Sequence, residues 1–224
     1  MSYERSVGRV PSAAVATLAS HGVAAAHEGY ARAGLLDPAL RPIQQGMRLA
    51  GRAVTVLCPP ADNLMIHMAI EHCHPGDVLV VATVPLGTAG VLGELLATSL
   101  RAHGVIAAVI DSGVRDVAAL RAMGFPVWSR WISAQGTTKQ GPGAVNDVIV
   151  CAGQVIEPGD IIVADDDGVV RIPAASAVDV AHRVADLVAH EAAIRERLAA
   201  GALSADILGL REAAARVGIP SGDR

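Results

Sequence analysis

Residues 87–123 read GTAGVLGELLATSLRAHGVIAAVIDSGVRDVAALRAM, and their pattern decides the fold class. Glycines at 87, 90 and 93 lead into Glu94-Leu95-Leu96-Ala97-Thr98-Ser99-Leu100, a segment free of Pro and Gly up to Gly104. Leu96 and Leu100 share a face at helical spacing, so a helix is expected from about Glu94. Residues 105–110 form a continuous apolar run of strand length, and Asp111-Ser112-Gly113 reads as the turn that ends it. Arg115-Asp116 then opens a second helix over residues 117–123, with the acid at its N-cap or first turn. Loop, helix, buried strand, turn and helix in that order point to an α/β fold with parallel strands. A glycine loop entering a helix offers free N–H groups and the positive end of the helix dipole, which suits a carboxylate or phosphate. In open parallel sheets such helix starts lie at the C-terminal ends of strands, where ligands bind. Glu94 and Arg115-Asp116 stand at two successive helix starts and are placed to face one crevice. Two acids and an arginine around N–H donors suit a divalent cation together with an oxyanion.

Upstream, residues 12–20 and 23–32 read as two helices on either side of Gly22. Residues 53–57 read as a strand stopped by Pro59-Pro60, and Asp62 caps a helix running to about His72. Pro75-Gly76-Asp77 turns into a strand over residues 78–83. Downstream, Pro126-Val127-Trp128 is a short strand, and residues 133–146 form a loop rich in glycine and polar residues. Residues 148–150, 154–156, 161–164 and 169–172 read as short strands, with Pro158-Gly159 and Asp167-Gly168 as hairpin turns. Residues 174–200 form a long amphipathic helix, and residues 205–217 suit another.

The chain has 224 residues, enough for one domain with an adequate core and a helical extension. Hydrophobic residues make up 52% and charged residues 18%, which excludes a disordered chain. Aromatics are 2% and the net charge is −4, so base-stacking platforms and clustered cations are scarce and no nucleic-acid partner is expected. No run of eighteen apolar residues lacks charges or turn signals, so no membrane partner is expected. Glu4, Arg5 and Arg9 stand at the N-terminus without an apolar segment, which argues against a secretory signal. Cys58, Cys73 and Cys151 are odd in number and form no C-x-x-C pair. A reduced, cytoplasmic protein is the simplest expectation.

Gly93-Glu94-Leu95-Leu96-Ala97-Thr98-Ser99 followed by Gly113-Val114-Arg115-Asp116 resembles the metal-dependent 4-hydroxy-4-methyl-2-oxoglutarate aldolases. That family also acts on 4-carboxy-4-hydroxy-2-oxoadipate, in aromatic degradation, and shares a superfamily with the regulator of ribonuclease activity A. Its motif is an acid, a twenty-residue spacer and Arg-Asp, here Glu94, residues 95–114 and Arg115-Asp116. Further similar segments are Arg41-Pro42-Ile43-Gln44-Gln45-Gly46, residues 75–81, Ala134-Gln135-Gly136-Thr137 and residues 158–169. The resemblance covers about residues 12–201. It implies a single-domain α/β/β/α layered fold of the swivelling β/β/α type. A core over residues 1–172 would carry the site, and C-terminal helices over residues 173–224 would pack on a neighbouring subunit of a homotrimer or homohexamer.

The resemblance also implies roles for single residues. Asp116 would ligate Mg2+ or Mn2+, and Arg115 would contact the 2-oxo oxygen of a small-molecule 2-oxo acid. Glu94 would hold metal-bound waters; the best-known members carry Asp there, and the regulator-type relatives lack an acid. Gly93 would permit close approach, and the amides of Leu95 and Leu96 would bind the C1 carboxylate, their side chains belonging to the core. Glu191 would approach the metal of a neighbouring subunit through water. Lys139 would meet the distal carboxylate, with Asn63 and His67 on one helix face nearby. The reaction implied is cleavage to pyruvate plus pyruvate or oxaloacetate, with oxaloacetate decarboxylation as a side activity.

Each residue also has an ordinary structural reading. Asp116 suits an N-cap or a salt bridge to Arg115, and Glu94 a helix-start acid favoured by the dipole. Glu191, Asn63 and Lys139 suit solvated positions. Two other functions stay open: a non-enzymatic regulator of ribonuclease type, and a lyase acting on a different 2-oxo acid.

Overall fold

The computed structural model describes residues 10–219; Glu4, Arg5 and Arg9 lie outside the described residues. The chain divides into two compact units, one running to Val184 and one starting at Ala185. In the first, helix α1 (Ser12–Gly29) is kinked at Gly22, whose φ of 79° breaks it into the two helices expected. Strand β1 (Arg41–Pro42) and the long β2 (Leu49–Cys58) follow. Helix α2 (Leu64–Ala69) leads into β3 (Asp77–Thr83). Then come β4 (Gly90–Leu92), α3 (Glu94–Ala102), β5 (Ala107–Val114), α4 (Val117–Ala122) and β6 (Val127–Ile132). The remaining strands are β7 (Ala144–Val145), β8 (Ile149–Cys151), β9 (Gln154–Ile156), β10 (Ile161–Asp165) and β11 (Gly168–Ile172). Helix α5 (Ala177–Ala199) starts in the first unit and ends in the second, which also holds α6 (Ser204–Ile207) and α7 (Arg211–Arg216).

One sheet runs β1-β6-β5-β3-β2-β10-β11, with β4 paired to the end of β5 and β7 to β2. The β2, β3, β5 and β6 neighbours are parallel, as the βα pattern predicts, and β10 and β11 are antiparallel. The sheet curls until its edges nearly meet. Leu35 bridges to Val170 on β11, and a few residues on, Arg41 pairs with Ser129 on β6. Val78, Val80, Val109, Trp128, Ile162 and Val169 fill the inside, closed by Ile149, Cys151 and Ile156 of the β8–β9 hairpin. Outside, Ile66, Leu96, Ala97, Leu100 and Leu120 of α2, α3 and α4 pack on Val54, Val56, Leu79, Val81 and Ile110. Each fully buried leucine or valine contributes about 1.5–3 kcal/mol. Helix α1 and the start of α5 cover β10 and β11 through Leu18, Val23, Val180 and Val184. The mixed α/β class stands as expected, and its two β layers are opposite walls of one barrel-like sheet.

Four local expectations are corrected. Asp111-Ser112-Gly113 is not a turn but buried strand, because its polar groups are satisfied inside. Asp111 Oδ1 accepts from Arg130 Nε at 2.6 Å, its Oδ2 accepts from Ala152 N at 2.7 Å, and Ser112 Oγ donates to Gly87 O at 2.8 Å. The glycine loop contains β4, which pairs parallel with Gly113 and Val114. Pro158-Gly159 turns no hairpin: Gly159 N donates to Ala53 O, and Ala53 N to Asp160 O, so the chain crosses onto β2. Residues 205–217 are two short helices, separated at Gly209, whose φ is 65°. Among the described residues no helix is long and apolar enough to cross a membrane.

Candidate functional site

The ends of β4 and β5 bring the acid–arginine motif together. Arg115 N donates to Leu92 O at 2.9 Å, so the chain leaving β5 lies against the residue before Gly93. Asp116 occupies the N-cap position of α4 but does not cap it. Its backbone is left-handed, φ 57° and ψ 34°, and its side chain bonds no amide of its own helix. The carboxylate crosses instead to α3, where Oδ2 accepts from Glu94 N at 3.1 Å and lies 3.8 Å from Arg115 Nε. A left-handed non-glycine residue costs roughly 1–2 kcal/mol, and such strain collects where side-chain direction matters. Gly93 makes the approach possible. A Cβ there would overlap Asp116 Oδ2 and sit 3.1 Å from Arg115 Cγ and Nε.

Glu94 is the first residue of α3, and its Oε1 accepts from Thr98 Oγ1 at 3.2 Å. The first bond back along this helix is Ala97 N to Gly93 O, so the Leu95 and Leu96 amides precede the intrahelical ladder. Their side chains part company. Leu96 is buried, but Leu95 is 81% exposed, which corrects the expectation that both belong to the core. Position explains it: Leu96 shares the inner face with Leu100, and Leu95 is turned about 100° away.

A second wall comes from α2 and the loop over residues 133–143. Asn63 is only 5% exposed, not a solvated surface residue. Its Nδ2 donates to Val91 O at 3.0 Å on β4, which fixes the amide, and its buried Oδ1 has no partner among the described residues. Buried His67 Nε2, one turn on, also has no partner among the described residues. Burial and then the Lys139 charge hold the His67 pKa below its ordinary value. The loop reaches the acid–arginine pair as well: Gly90 N donates to Gln135 O at 2.9 Å, and Arg115 Nη1 lies beside Gly136. Lys139 itself is exposed. Glu191 is exposed on α5 within the second unit.

Asp62 does more than the helix cap the sequence suggested. Its Oδ1 accepts from Leu64 N, and its Oδ2 takes three donors from the 133–143 loop. No local signal shows this, because those partners lie 76–79 residues away. The three cysteines are free, and burial pushes the Cys58 thiol up to about 12, far from a nucleophile's range.

The donor set suits a hard cation of the Mg2+ type. Among the described residues no three His, Cys, Asp or Glu side chains gather to hold an ion, so a cage of protein ligands alone is not on offer. A half-exposed carboxylate, turned off its own helix with Oδ1 taking no hydrogen bond among the described residues, matches a cation that keeps several waters.

Fold and site together define a class: a helix-covered, barrel-like α/β protein with an acid–arginine mouth at a helix N-terminus. Residues 20–171 match the RraA-like family, described as Aldolase/RraA, and the chain belongs to that family. It is 33% identical over 138 residues to a Halalkalibacterium halodurans protein provisionally named 4-hydroxy-4-methyl-2-oxoglutarate aldolase, spanning 62% of this chain and 66% of that protein. A Burkholderia multivorans protein with the same provisional name is 34% identical over 156 residues, 68% of this chain and 94% of its own. The crystal structure of Streptomyces coelicolor RraAS2, an unusual member of the RNase ES inhibitor RraA protein family, matches with a TM-score of 0.75 at 27% identity. It covers 84% of this chain and 100% of that one.

Proposed function

We propose that the protein is a divalent-metal-dependent carbon–carbon lyase that cleaves 4-hydroxy-2-oxo acids bearing a second carboxylate, of the 4-hydroxy-4-methyl-2-oxoglutarate and 4-carboxy-4-hydroxy-2-oxoadipate kind, and releases pyruvate. The observation that carries it is the left-handed Asp116, whose carboxylate leaves its own helix for the α3 N-terminus beside Arg115. The names of the two aldolase relatives support it. Asp116 would hold Mg2+ or Mn2+, and Glu94 would order waters beside it. A bound cation supplies a Lewis acid that polarises the 2-oxo group.

The protein's own residues do the rest. The Leu95 and Leu96 amides receive the C1 carboxylate at the positive end of α3. Lys139 meets the distal carboxylate, and Asn63 Oδ1, an acceptor without a donor, suits the 4-hydroxyl. A water held by Glu94, or by Glu191 of a neighbouring copy, takes the 4-hydroxyl proton. C4 becomes a carbonyl as the C3–C4 bond breaks, the bond's electron pair forms C2=C3, and the negative charge comes to rest on the C2 oxygen. Arg115, charged at any working pH, stabilises that oxyanion. C3 then takes a proton and pyruvate leaves. The same enolate arises when oxaloacetate loses CO2, so decarboxylation accompanies the aldolase reaction. Assembly into a trimer or hexamer is part of this reading, supported by a second unit in which no described side chain is buried.

The test is pyruvate release from 4-hydroxy-4-methyl-2-oxoglutarate by metal-stripped protein, with and without added Mg2+ or Mn2+. Release only with metal is expected. Undiminished release without metal would overturn the metal role. No release under any condition would turn the reading to a different 2-oxo acid or to the binding protein that the RraAS2 likeness suggests.

A further inference from the structure

Asp62 is 3% exposed, yet its carboxylate gathers four donors from two elements. Oδ1 accepts from Leu64 N at 2.9 Å, at the start of α2. Oδ2 accepts from Thr138 Oγ1 at 2.6 Å, Gln140 N at 2.8 Å and Gly141 N at 3.0 Å. Backbone bonds reinforce the contact: Asn63 N donates to Thr138 O at 3.1 Å and Thr138 N to Ala61 O at 2.8 Å. Lys139 therefore sits between two residues that are both tied to one buried carboxylate. The same anchor holds the start of α2, beside Asn63 and His67, two residues whose buried polar atoms lack partners among the described residues. An exposed lysine side chain keeps its own freedom, so the place of its Cα is what the protein can set.

We propose that Asp62 is a positioning residue for substrate choice: it clasps the 133–143 loop to α2, and so places Lys139 to select 2-oxo acids that carry a second carboxylate. This rests on the assignment of Lys139 to the distal carboxylate given above. The anion is needed, not only the shape. An asparagine offers one acceptor and one NH2, so it either turns a donor on the three loop donors or abandons the cap on Leu64. Its failure would be local, because Asp62 makes no hydrogen bond or ion pair with Arg115 or Asp116 among the described residues.

The experiment compares wild type, Asp62→Ala, Asp62→Asn, Lys139→Ala and the Asp62→Ala/Lys139→Ala double variant in two readouts. The first is amide hydrogen exchange at Gln140 and Gly141, which needs no activity. The second is the ratio of kcat/KM for 4-hydroxy-4-methyl-2-oxoglutarate over 4-hydroxy-2-oxopentanoate, which lacks the second carboxylate. Both Asp62 variants are expected to lose protection at Gln140 and Gly141 while β3 and β5 stay protected. Asp62→Ala is expected to lower the ratio by roughly tenfold or more, through KM, as loss of a charged hydrogen-bond anchor does. Lys139→Ala should match it, and the double variant should fall no further. Protected amides in Asp62→Ala, an unchanged ratio, or losses that multiply in the double variant would overturn the proposal. If Asp62→Ala loses protection across β3 and β5 as well, Thr138→Val carries the test: it removes one donor, and a fall of about fivefold is expected. If wild type turns over neither compound, the reading of the reaction fails. The exchange readout then decides whether Asp62 holds the loop.

Discussion

Gly93 is the residue that allows the mouth to form. Its φ of −141° is open to any residue, so an alanine there tests space and not backbone strain. The added Cβ would push on Asp116 Oδ2 and the Arg115 side chain, both half-exposed and free to shift. The Gly93→Ala variant should therefore keep its fold, with a melting midpoint lowered by roughly 2–4 °C, the shift of about 1 kcal/mol in a chain this size. Pyruvate-release kcat/KM should fall roughly tenfold or more, since displaced charges cost about 1–3 kcal/mol at the reacting atoms. Steady-state kinetics beside a thermal scan checks this, and a lower midpoint with unchanged kcat/KM would count against it. At this scale the sequence was informative about identity and spacing: Glu94, Arg115 and Asp116 were all legible. The direction of Asp116 was not, because an N-cap and a left-handed residue facing another helix look alike in one dimension.

At the scale of elements, β5 and the 133–143 loop show what pattern reading misses. Asp111-Ser112-Gly113 has turn composition, but Arg130 donates to both Asp111, at 2.6 Å, and Asp37, at 2.8 Å, so the polar triplet stays in the strand. The loop is ordered in the same way, by a buried anion. Burial alone would raise the Asp62 pKa, but hydrogen bonds from Gln140 N, Thr138 Oγ1, Leu64 N and Gly141 N outweigh it and hold the carboxyl well below the usual range. A carboxyl with a depressed folded-state pKa stabilises the fold above its unfolded value, about 3.9. That contribution is lost as pH falls from there through the folded value. Melting midpoints measured from pH 7 down to pH 3 should show Asp62→Ala least stable relative to wild type at neutral pH. The gap should narrow below about pH 4. A gap that stayed constant over the whole range would contradict the charged clasp.

For the whole molecule, the 22.9 kDa chain is expected to sediment as a trimer or hexamer. The second unit shows Leu198, Leu208, Leu210, Val217 and Ile219 to solvent and buries no described side chain, and exposed apolar residues that gather into a patch mark interaction surfaces. A monomer at micromolar concentration would overturn that expectation. The sequence by itself determined the mixed α/β class, the order of the helices and of the longer strands, and the acid–arginine motif. Those follow from local periodicity, breakers and spacing, which a one-dimensional reading contains. Only the tertiary structure decided that the sheet curls until Leu35 and Arg41 stitch its two edges, and that Asn63, His67 and the Lys139 loop form a second wall. It also decided that Asp62 serves a loop 76–79 residues away. Those features depend on which distant polar groups find each other once water is excluded, and that pairing has no signature along the chain.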